Sequence, residues 1–292
     1  MLFHLGRPMT LHVCPTPIGN LGDITLRVLD ALRSAGLIAA EDTRRTRKLL
    51  SHYGISKPLI SFYEHNELRR LPELLKKLRS GLDIALVSDA GMPGICDPGY
   101  RLIRAAIDEG LEVEVLPGPS ALDTALVSSG FPTDSFVFLG YLPRKKRELE
   151  QALTAIAREN RSCIVYESPH RLAKTLNAAA AVLGERRIAI CRELTKKFEE
   201  ISRGAAAELL TMLPEKVKGE IVLVFEGAGN IAKESDLVAA SASTDRAAVE
   251  SALRGLLAEG IPARRAAELI SPLTGLSQNR VYKMVLELKR GG

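Results

Sequence analysis

The most informative connection in this chain reads Ser88-Asp89-Ala90-Gly91-Met92-Pro93-Gly94-Ile95-Cys96-Asp97-Pro98-Gly99. It follows an apolar run, Ile84 to Val87, that predicts a buried strand, and it precedes a segment with helical spacing of apolar residues. Glycines and prolines within the connection indicate a stiff, shaped turn. In an open α/β sheet, ligands bind at such turns, at the carboxyl ends of the strands. We therefore expect a ligand site here.

Strand and helix patterns alternate on both sides of this loop. Apolar runs predict strands at 11–14, 37–40, 59–63, 83–88 and 111–116. Amphipathic segments predict helices at 24–35, 43–53, 66–79 and 99–109. Asp23 has the residue type and position of the first helix's N-cap. The alternation predicts an α/β domain with a mostly parallel sheet, over residues 1–130.

A second alternating block follows a predicted boundary at 130–134. Its expected strands lie at 136–141, 163–166, 187–191 and 221–225. Its expected helices lie at 145–159, 171–183 and 204–213. Because no dinucleotide-type fingerprint restarts here, the pattern favours a different α/β domain over 131–228, with a mixed sheet.

The C-terminal part changes in composition. Residues 229–243 lack apolar periodicity and indicate a linker, and 244–292 predict a small helical domain of the helix-turn-helix type. We expect Pro272 to follow its second helix, and Val281, Val285 and Leu288 to share one face of the third. Residues 246–290 contain eight Lys/Arg and four Glu. Either a packed helical cap or an RNA-contacting module fits this composition.

Composition excludes several classes. The 292 residues are 46% hydrophobic and 26% charged, as in ordinary globular proteins, and no apolar run approaches the roughly 18 residues of a membrane span. The first ten residues lack a secretory apolar core. The four cysteines form no CxxC pair, which favours buried free thiols without disulfide or metal. We expect a cytoplasmic protein, and its net charge of +5 mildly favours an acidic partner.

Two further loops share the character of the central one. The first, residues 15–25, contains two prolines and the glycines Gly19 and Gly22, and it lacks the G-x-G-x-x-G fingerprint. A rigid loop of this kind suits a ligand less charged than a pyrophosphate. The second, residues 116–121, ends in Ser120, a predicted helix N-cap. Three such loops at one sheet edge predict a single cleft.

Charged residues gather near the same edge. Glu41 and Asp42 follow a predicted strand and could cap a helix or hold a ribose. The cations after them suit either a solvated helix face or a phosphate-bearing substrate: Arg44, Arg45, Arg47 and Lys48. A second cationic run, 144–147, opens a helix, where positive charge opposes the helix dipole. That placement favours an anionic partner.

The second block also supplies polar groups after its strands. Tyr166 suits either the core or stacking on an adenine or another base. Glu167, His170, Arg171 and Glu193 form a mixed-charge set expected to face the same cleft.

Taken together, these motifs resemble the tetrapyrrole methylase superfamily, and more narrowly its members that methylate small-subunit ribosomal RNA. The matching segments run in order from about 11 to 227, and they are 15–25, 41–45, 88–93, 97–99, 116–121, 166–172, 192–195 and 219–224. The helical tail is also typical. One departure is Met92, where the resemblance leads us to expect Thr.

The resemblance implies S-adenosylmethionine held between two α/β domains, and methyl transfer to the ribose 2′-hydroxyl of cytidine 1402 in 16S ribosomal RNA of the small subunit. It also implies a homodimer. The cofactor contacts it implies are Ile18, Asp89, Ala90, Gly91, Met92, Ser120, Ala121, Tyr166, Glu193 and Leu194. The residues expected to hold RNA are Arg44, Arg45, Arg47, Lys48, Arg144, Lys145, Lys146 and Arg171.

A ribose hydroxyl is a poor nucleophile until its proton leaves, so a general base is expected. The candidates are Glu167, His170 and Glu64. Three other interpretations rank behind RNA methylation. A tetrapyrrole methylase proper would not need the basic tail, and a nicotinamide oxidoreductase would use Asp42 but lacks the glycine fingerprint. A non-catalytic RNA-binding module would leave the three shaped loops without a role.

Overall fold

A computed structural model describes residues 10–229, 246–274 and 278–290. The chain divides into two compact units, residues 1–226 and 227–292. Within the described ranges, no helix has the length and apolar character needed to cross a membrane. The predicted linker, 229–243, lies almost wholly outside the described residues.

The first half of the larger unit is built on a five-stranded parallel sheet in the order β3-β2-β4-β1-β5. Its strands are β1 Thr10–Val13, β2 Leu37–Ala40, β3 Leu59–Ser61, β4 Ile84–Val87 and β5 Glu112–Val115. Its helices are α1 Leu26–Ser34, α2 Thr43–His52, α3 Glu67–Arg79, α4 Tyr100–Asp108 and α5 Ala121–Ser129. The predicted parallel α/β arrangement is confirmed.

One predicted cap was wrong. Thr25 caps α1, because its Oγ1 accepts a hydrogen bond from Val28 N at 3.3 Å. Asp23 is instead the last residue of a short 3-10 turn, Leu21–Asp23. It lies two residues before the N-cap position of α1. Ser120 caps α5 as predicted, accepting from Asp123 N.

The second half contains a mixed five-stranded sheet in the order β6-β7-β10-β8-β9, in which only β6 and β7 pair in parallel. Its strands are β6 Phe136–Tyr141, β7 Ser162–Glu167, β8 Arg187–Arg192, β9 Glu200–Ala205 and β10 Ile221–Phe225. Its helices are α6 Lys146–Arg158, α7 Leu172–Leu183 and α8 Ala206–Met212. The mixed sheet was predicted, but β9 was not.

The unpredicted strand β9 has an unusual composition. It lies at the sheet edge, is largely half-exposed and contains Glu200, Arg203 and Gly204. An edge strand pairs on one side only and needs no continuous apolar run, so hydrophobic periodicity gives no signal for it.

The two halves share a buried core. Helix α5 packs its Ala125 and Leu126 on the second sheet, against Val222 and Val224 of β10, and Ile18 of the first loop joins this cluster. Burial of this apolar surface ties the loop edge of the first sheet to one face of the second. The cavity described below lies at this junction.

In the smaller unit, taken by itself, the described residues from 246 onward form three helices: α9 Arg246–Ala258, α10 Ala263–Thr274 and α11 Gln278–Arg290. Val281 and Val285 are fully buried with Leu253 between the helices, and Leu288 packs at the margin, as predicted. Pro272 lies inside α10, so the expectation that it follows the helix was wrong. A proline so near the helix end removes a single backbone hydrogen bond, which the packed helix tolerates.

Candidate active site at the junction of the two sheets

The loops after four neighbouring strands are joined directly to one another. Thr16 and Gly91 exchange backbone hydrogen bonds of 2.9 Å in both directions. Gly118 lies so close to Pro15 that a Cβ there would be 2.5 Å from the proline Cγ. These contacts fix the first, central and 116–121 loops as a single surface.

The loop after β2 is tied to the same surface. Asp42 N donates to Asp89 Oδ1 at 3.0 Å, and Asp89 N donates to Glu41 Oε2 at 3.2 Å. Asp42 also caps α2 by accepting from Arg44 N at 2.8 Å. The strand order explains this convergence, because β4 lies at the centre and its loop borders those of β2 and β1.

A cavity of about 350 Å³ lies between these loops and the ends of β6, β7 and β10. The first half contributes Ile18, Glu41, Arg45, Asp89, Ala90, Gly91, Met92, Ile95, Asp97, Ser120 and Ala121. The second half contributes Tyr141, Tyr166, Glu167, Ser168, Pro169, Gly219, Glu220, Ile221 and Val222. Eight of the ten expected cofactor residues line it, all except Glu193 and Leu194. Their binding role stays a prediction.

Glu193 and Leu194 lie just behind the lining. Glu193 Oε1 accepts from Glu220 N at 2.9 Å and from Lys196 Nζ at 2.8 Å. The first of these bonds holds the backbone of Glu220, a lining residue. Leu194 is buried in the apolar cluster that contains Ile18. Both residues support the cavity wall from outside it.

The three base candidates lie in different places. Glu167 carries a fully buried carboxylate that accepts from Thr175 Oγ1 at 2.5 Å and Ser168 N at 2.8 Å, with Arg171 Nε 3.5 Å away. His170 is exposed and outside the lining, on the solvent side of the turn after β7. Glu64 is exposed in the loop after β3, the edge strand, and so is remote from the central loop. The structure does not gather them into one group.

The cations of α2 divide into two kinds. Arg45 lines the cavity and pairs with Asp89 at 3.2 Å, and Lys48 lines an adjoining groove of about 290 Å³ that Arg45 also borders. Arg44 bonds to Asp42 while 84% exposed, and Arg47 is exposed. Their contact with RNA stays a prediction.

The second cationic set also divides. Lys145 and Lys146 are exposed and pair loosely with acids on α6. Arg144 is exposed in a shallow groove beside Tyr141. Arg171 donates to the carbonyl oxygens of Leu142 and Pro143 at 3.0 and 2.9 Å, so it holds the chain segment after β6 in place.

Ten lining residues were not among the expected site residues, and three of them, Glu41, Asp97 and Tyr141, bear on the chemistry of the cavity. Burial raises the pKa of the Asp97 carboxyl to about 7, with repulsion from Glu41 adding to the effect and a hydrogen bond from Ser88 opposing it. Burial also raises the pKa of Glu41. Asp97 lies within the stretch quoted at the outset, so its proximity to a ligand loop was available from the sequence. The crowding of carboxylates was not, because it depends on strand order.

Aromatic rings form the opposite wall. The Tyr166 ring contacts Phe138 and Tyr141 edge to face, with centroids 4.9 and 5.7 Å apart. Burial raises the pKa of Tyr166 to about 12, so its hydroxyl stays neutral. Tyr141 is 59% exposed at the cavity mouth. The wall therefore offers one covered ring and one open ring.

Comparison with known proteins matches residues 10–210 to the family described as Tetrapyrrole (Corrin/Porphyrin) Methylases, and residues 243–289 to the RsmI C-terminal HTH domain. Among solved structures, the methyltransferase CobJ is similar with a TM-score of 0.57 and 22% identity, covering 76% of this chain and 95% of that one. Uroporphyrin-III-C-methyltransferase from Thermus thermophilus gives 0.53 and 18%, over 77% and 97%. These likenesses define a methylase fold.

Relatives in sequence are closer. The ribosomal RNA small subunit methyltransferase I of Vibrio cholerae serotype O1 is 46% identical over 97% of this chain and 96% of its own. The protein of the same name from Escherichia coli O157:H7 is 45% identical over 95% and 94%. The chain belongs to the tetrapyrrole methylase family, in the group of the ribosomal RNA small subunit methyltransferases I.

Proposed function

We propose that this protein transfers a methyl group from S-adenosylmethionine to the ribose 2′-hydroxyl of cytidine 1402 in 16S ribosomal RNA. The observation that carries the proposal is the cavity, which joins the family's loops at one edge of the first sheet. Full-length relatives named as small-subunit ribosomal RNA methyltransferases support the substrate class. The exact nucleotide and the 2′-oxygen rest on the resemblance in the sequence motifs.

The residues of the cavity fit the cofactor. Its volume suits a ligand of this size, since small-molecule sites occupy roughly 300–1,000 Å³. Ile18, Ala121 and Val222 supply apolar surface for an adenine, and carboxylates are available for ribose hydroxyls and the ammonium group. Bound there, S-adenosylmethionine supplies an electrophilic methyl carbon on a sulfonium.

The protein's own contribution is mainly alignment. The joined loops hold the backbone of Asp89 to Met92 in one conformation, with Gly91 in the left-handed region at φ 75°. A rigid floor of this kind positions a reacting group before the substrate arrives. Arg45, Lys48 and Arg144 border the cavity and its grooves, where they would contact RNA phosphates.

Two further expectations accompany the proposal. We expect a homodimer that works in the cytoplasm on the small ribosomal subunit. The helical tail, residues 244–292, would add RNA contacts, since its described helices carry exposed cations such as Arg254, Arg264 and Lys283.

The experiment offers labelled S-adenosylmethionine with three acceptors: small subunits lacking the modification, naked 16S RNA and a porphyrinogen. The proposal requires label in RNA, mapped to the ribose of a single cytidine. Label only in the porphyrinogen would keep the fold and refute the substrate. Label at another nucleotide would keep RNA methylation and refute the position.

A further inference from the structure

Five carboxylates line the cavity, and they differ in what neutralises them. Asp89 pairs with Arg45 at 3.2 Å, Glu167 lies 3.5 Å from Arg171, and Glu220 pairs with Lys196 at 3.0 Å. Glu41 accepts the Asp89 N–H. Asp97 has the Ser88 side chain as its contact, with neither a cation nor a backbone N–H beside it in the part of the chain that the structure describes.

We propose that Asp97 is the general base of the reaction, and that its carboxylate accepts the proton of the attacking ribose 2′-hydroxyl. This inference rests on the function proposed above. A carboxylate has about four acceptor sites, and each cation or N–H donor that it already holds occupies one of them and makes the carboxylate less basic. Asp97 keeps its acceptor capacity free inside the cavity.

The residue before Asp97 has an unusual backbone conformation. Cys96, just before it, adopts φ 58°, a left-handed conformation that non-glycine residues seldom hold without support. The support comes from β6, because Gly140 lies so close that a Cβ there would be 3.2 Å from Cys96 Sγ. Such strain gathers at functional sites. Here it fixes the turn that carries the carboxylate.

The same contact places Asp97 beside the open aromatic ring. Tyr141 follows Gly140, and its pKa is raised by burial and by the charges of Cys96 and Asp97. An unstacked RNA base packs well on an exposed aromatic face. A nucleotide stacked on Tyr141 would bring its ribose towards Asp97.

The electrostatic surroundings suit a base working near neutral pH. The groups that face Asp97 are Glu41 after β2, Asp89 on its own loop, Cys96, and Tyr141 and Tyr166 from the second sheet, with Arg45 on α2 balancing Asp89. Burial raises the pKa of Asp97 to about 7, and repulsion from Glu41 and Asp89 adds to the effect. A base with a pKa near the working pH is both ionised and able to accept a proton.

The proposed step transfers one methyl group to the ribose oxygen and one proton to Asp97. The ribose oxygen forms a bond to the methyl carbon while the methyl–sulfur bond breaks, and the sulfur takes that electron pair to become a neutral thioether. The hydroxyl proton passes to the Asp97 carboxylate, and release of that proton to water restores the base. No oxidant, reductant or metal is needed.

The test uses the 292-residue protein with Asp97→Asn, which keeps the side-chain shape and replaces the basic carboxylate by a neutral amide that cannot take up the proton. Asp108→Asn is the matched control, because Asp108 is an exposed α4 residue paired with Arg104. Two quantities are measured: the Kd of S-adenosylmethionine by calorimetry, and single-turnover methyl transfer to small subunits between pH 5.5 and 9. For Asp97→Asn we expect a cofactor Kd within about threefold of wild type and a rate about 10²–10⁴-fold lower.

The pH profile separates a base from a structural residue. Wild type should lose about tenfold in rate per pH unit below an inflection near 7, and Asp97→Asn should lose this inflection while Asp108→Asn keeps it. An Asp97→Asn protein with normal rate would overturn the assignment, as would one whose only defect is weaker cofactor binding. If wild type methylates no RNA at all, the proposed function fails and this inference fails with it.

Discussion

Acidic residues on the two walls of the cavity have contrasting surroundings, as Glu167 and Asp97 show. On the second-sheet wall, Glu167 is fully buried and its oxygens meet Thr175, Ser168 N and Arg171. On the first-sheet wall, Asp97 and Glu41 approach each other without a cation between them, and their pKa values rise. A satisfied carboxylate stabilises the fold, whereas a crowded one costs stability and keeps its chemistry available.

Because of this difference, the structure favours another acid as the base than the sequence does. Glu167 follows a strand within a strong motif, so it attracts attention. Its contacts give it a structural role, as the acceptor that fixes the start of α7 and the side chain of Arg171. The acid better placed for proton transfer lies on the other wall.

The largest expected effect on stability comes from removing the buried carboxylate of Glu167. Glu167→Ala would leave Thr175 Oγ1 and Ser168 N without this acceptor and Arg171 without its counter-charge, and loss of one partner of a buried ion pair costs about 3–5 kcal/mol. We expect a loss of that order in the free energy of unfolding, measured with chemical denaturant.

The matched control is Glu148→Ala, which removes an exposed partner of Lys145 and should change stability by under about 0.5 kcal/mol. If the folded fraction of Glu167→Ala lost its rate while keeping cofactor affinity and stability, Glu167 would act as the base and the comparison of the two walls would be reversed.

The next effect tests the rigidity of the loop wall. In Gly118→Ala the new Cβ would lie 2.5 Å from the Pro15 ring, which cannot rotate away, so the first and 116–121 loops must separate. Overpacking of this kind costs about 1–3 kcal/mol. We expect that loss in stability together with weaker cofactor binding, measured by calorimetry.

Gly255→Ala is the control for backbone effects. It lies inside α9 with nothing within 4 Å of its added Cβ, so the alanine should stabilise the helical unit by about 0.5–1 kcal/mol. Unchanged cofactor affinity in Gly118→Ala would show that the loops do not act as one surface.

Much of the fold follows from local pattern. Apolar runs locate nine of the ten strands of the described residues within one or two positions, because the central strands are buried on both faces. The loops that line the cavity can likewise be recognised in the sequence from their Gly and Pro content. The strand order is not local, and it decides that Glu41, Asp89 and Asp97 meet while Glu64 stays outside. The partners of Glu167, which separate it from Asp97, lie within eight residues of it along the chain, but the sequence pattern does not show how those side chains are oriented.

A smaller effect, an increase in stability, is expected for Asp97→Asn. The folded pKa of Asp97 lies near 7, above the unfolded value near 3.8, so the folded protein binds the extra proton and loses stability as pH rises between those values. Asp97→Asn removes this cost. Its Tm should therefore exceed that of wild type, by more at pH 8 than at pH 5, with about 2–4 °C for each kcal/mol relieved. Equal or lower Tm at pH 8 would mean that Asp97 is not crowded.

The smallest expected effect on the free energy of unfolding comes from removing an exposed cation. Lys145 is 82% exposed, and its one ion-pair partner among the described residues is Glu148, so Lys145→Ala should leave the free energy of unfolding within about 0.5 kcal/mol. If it neutralises an RNA phosphate, the slope of log affinity against log salt should fall by about 0.7–0.9, since one counterion fewer is released. The control is Lys76→Ala on α3, the helix that follows the edge strand β3, and this variant should keep the full slope. An unchanged slope for Lys145→Ala would show that Lys145 neutralises no RNA phosphate, and Arg144 would then be the cation to test on this wall, against Arg45 and Lys48 on the α2 side.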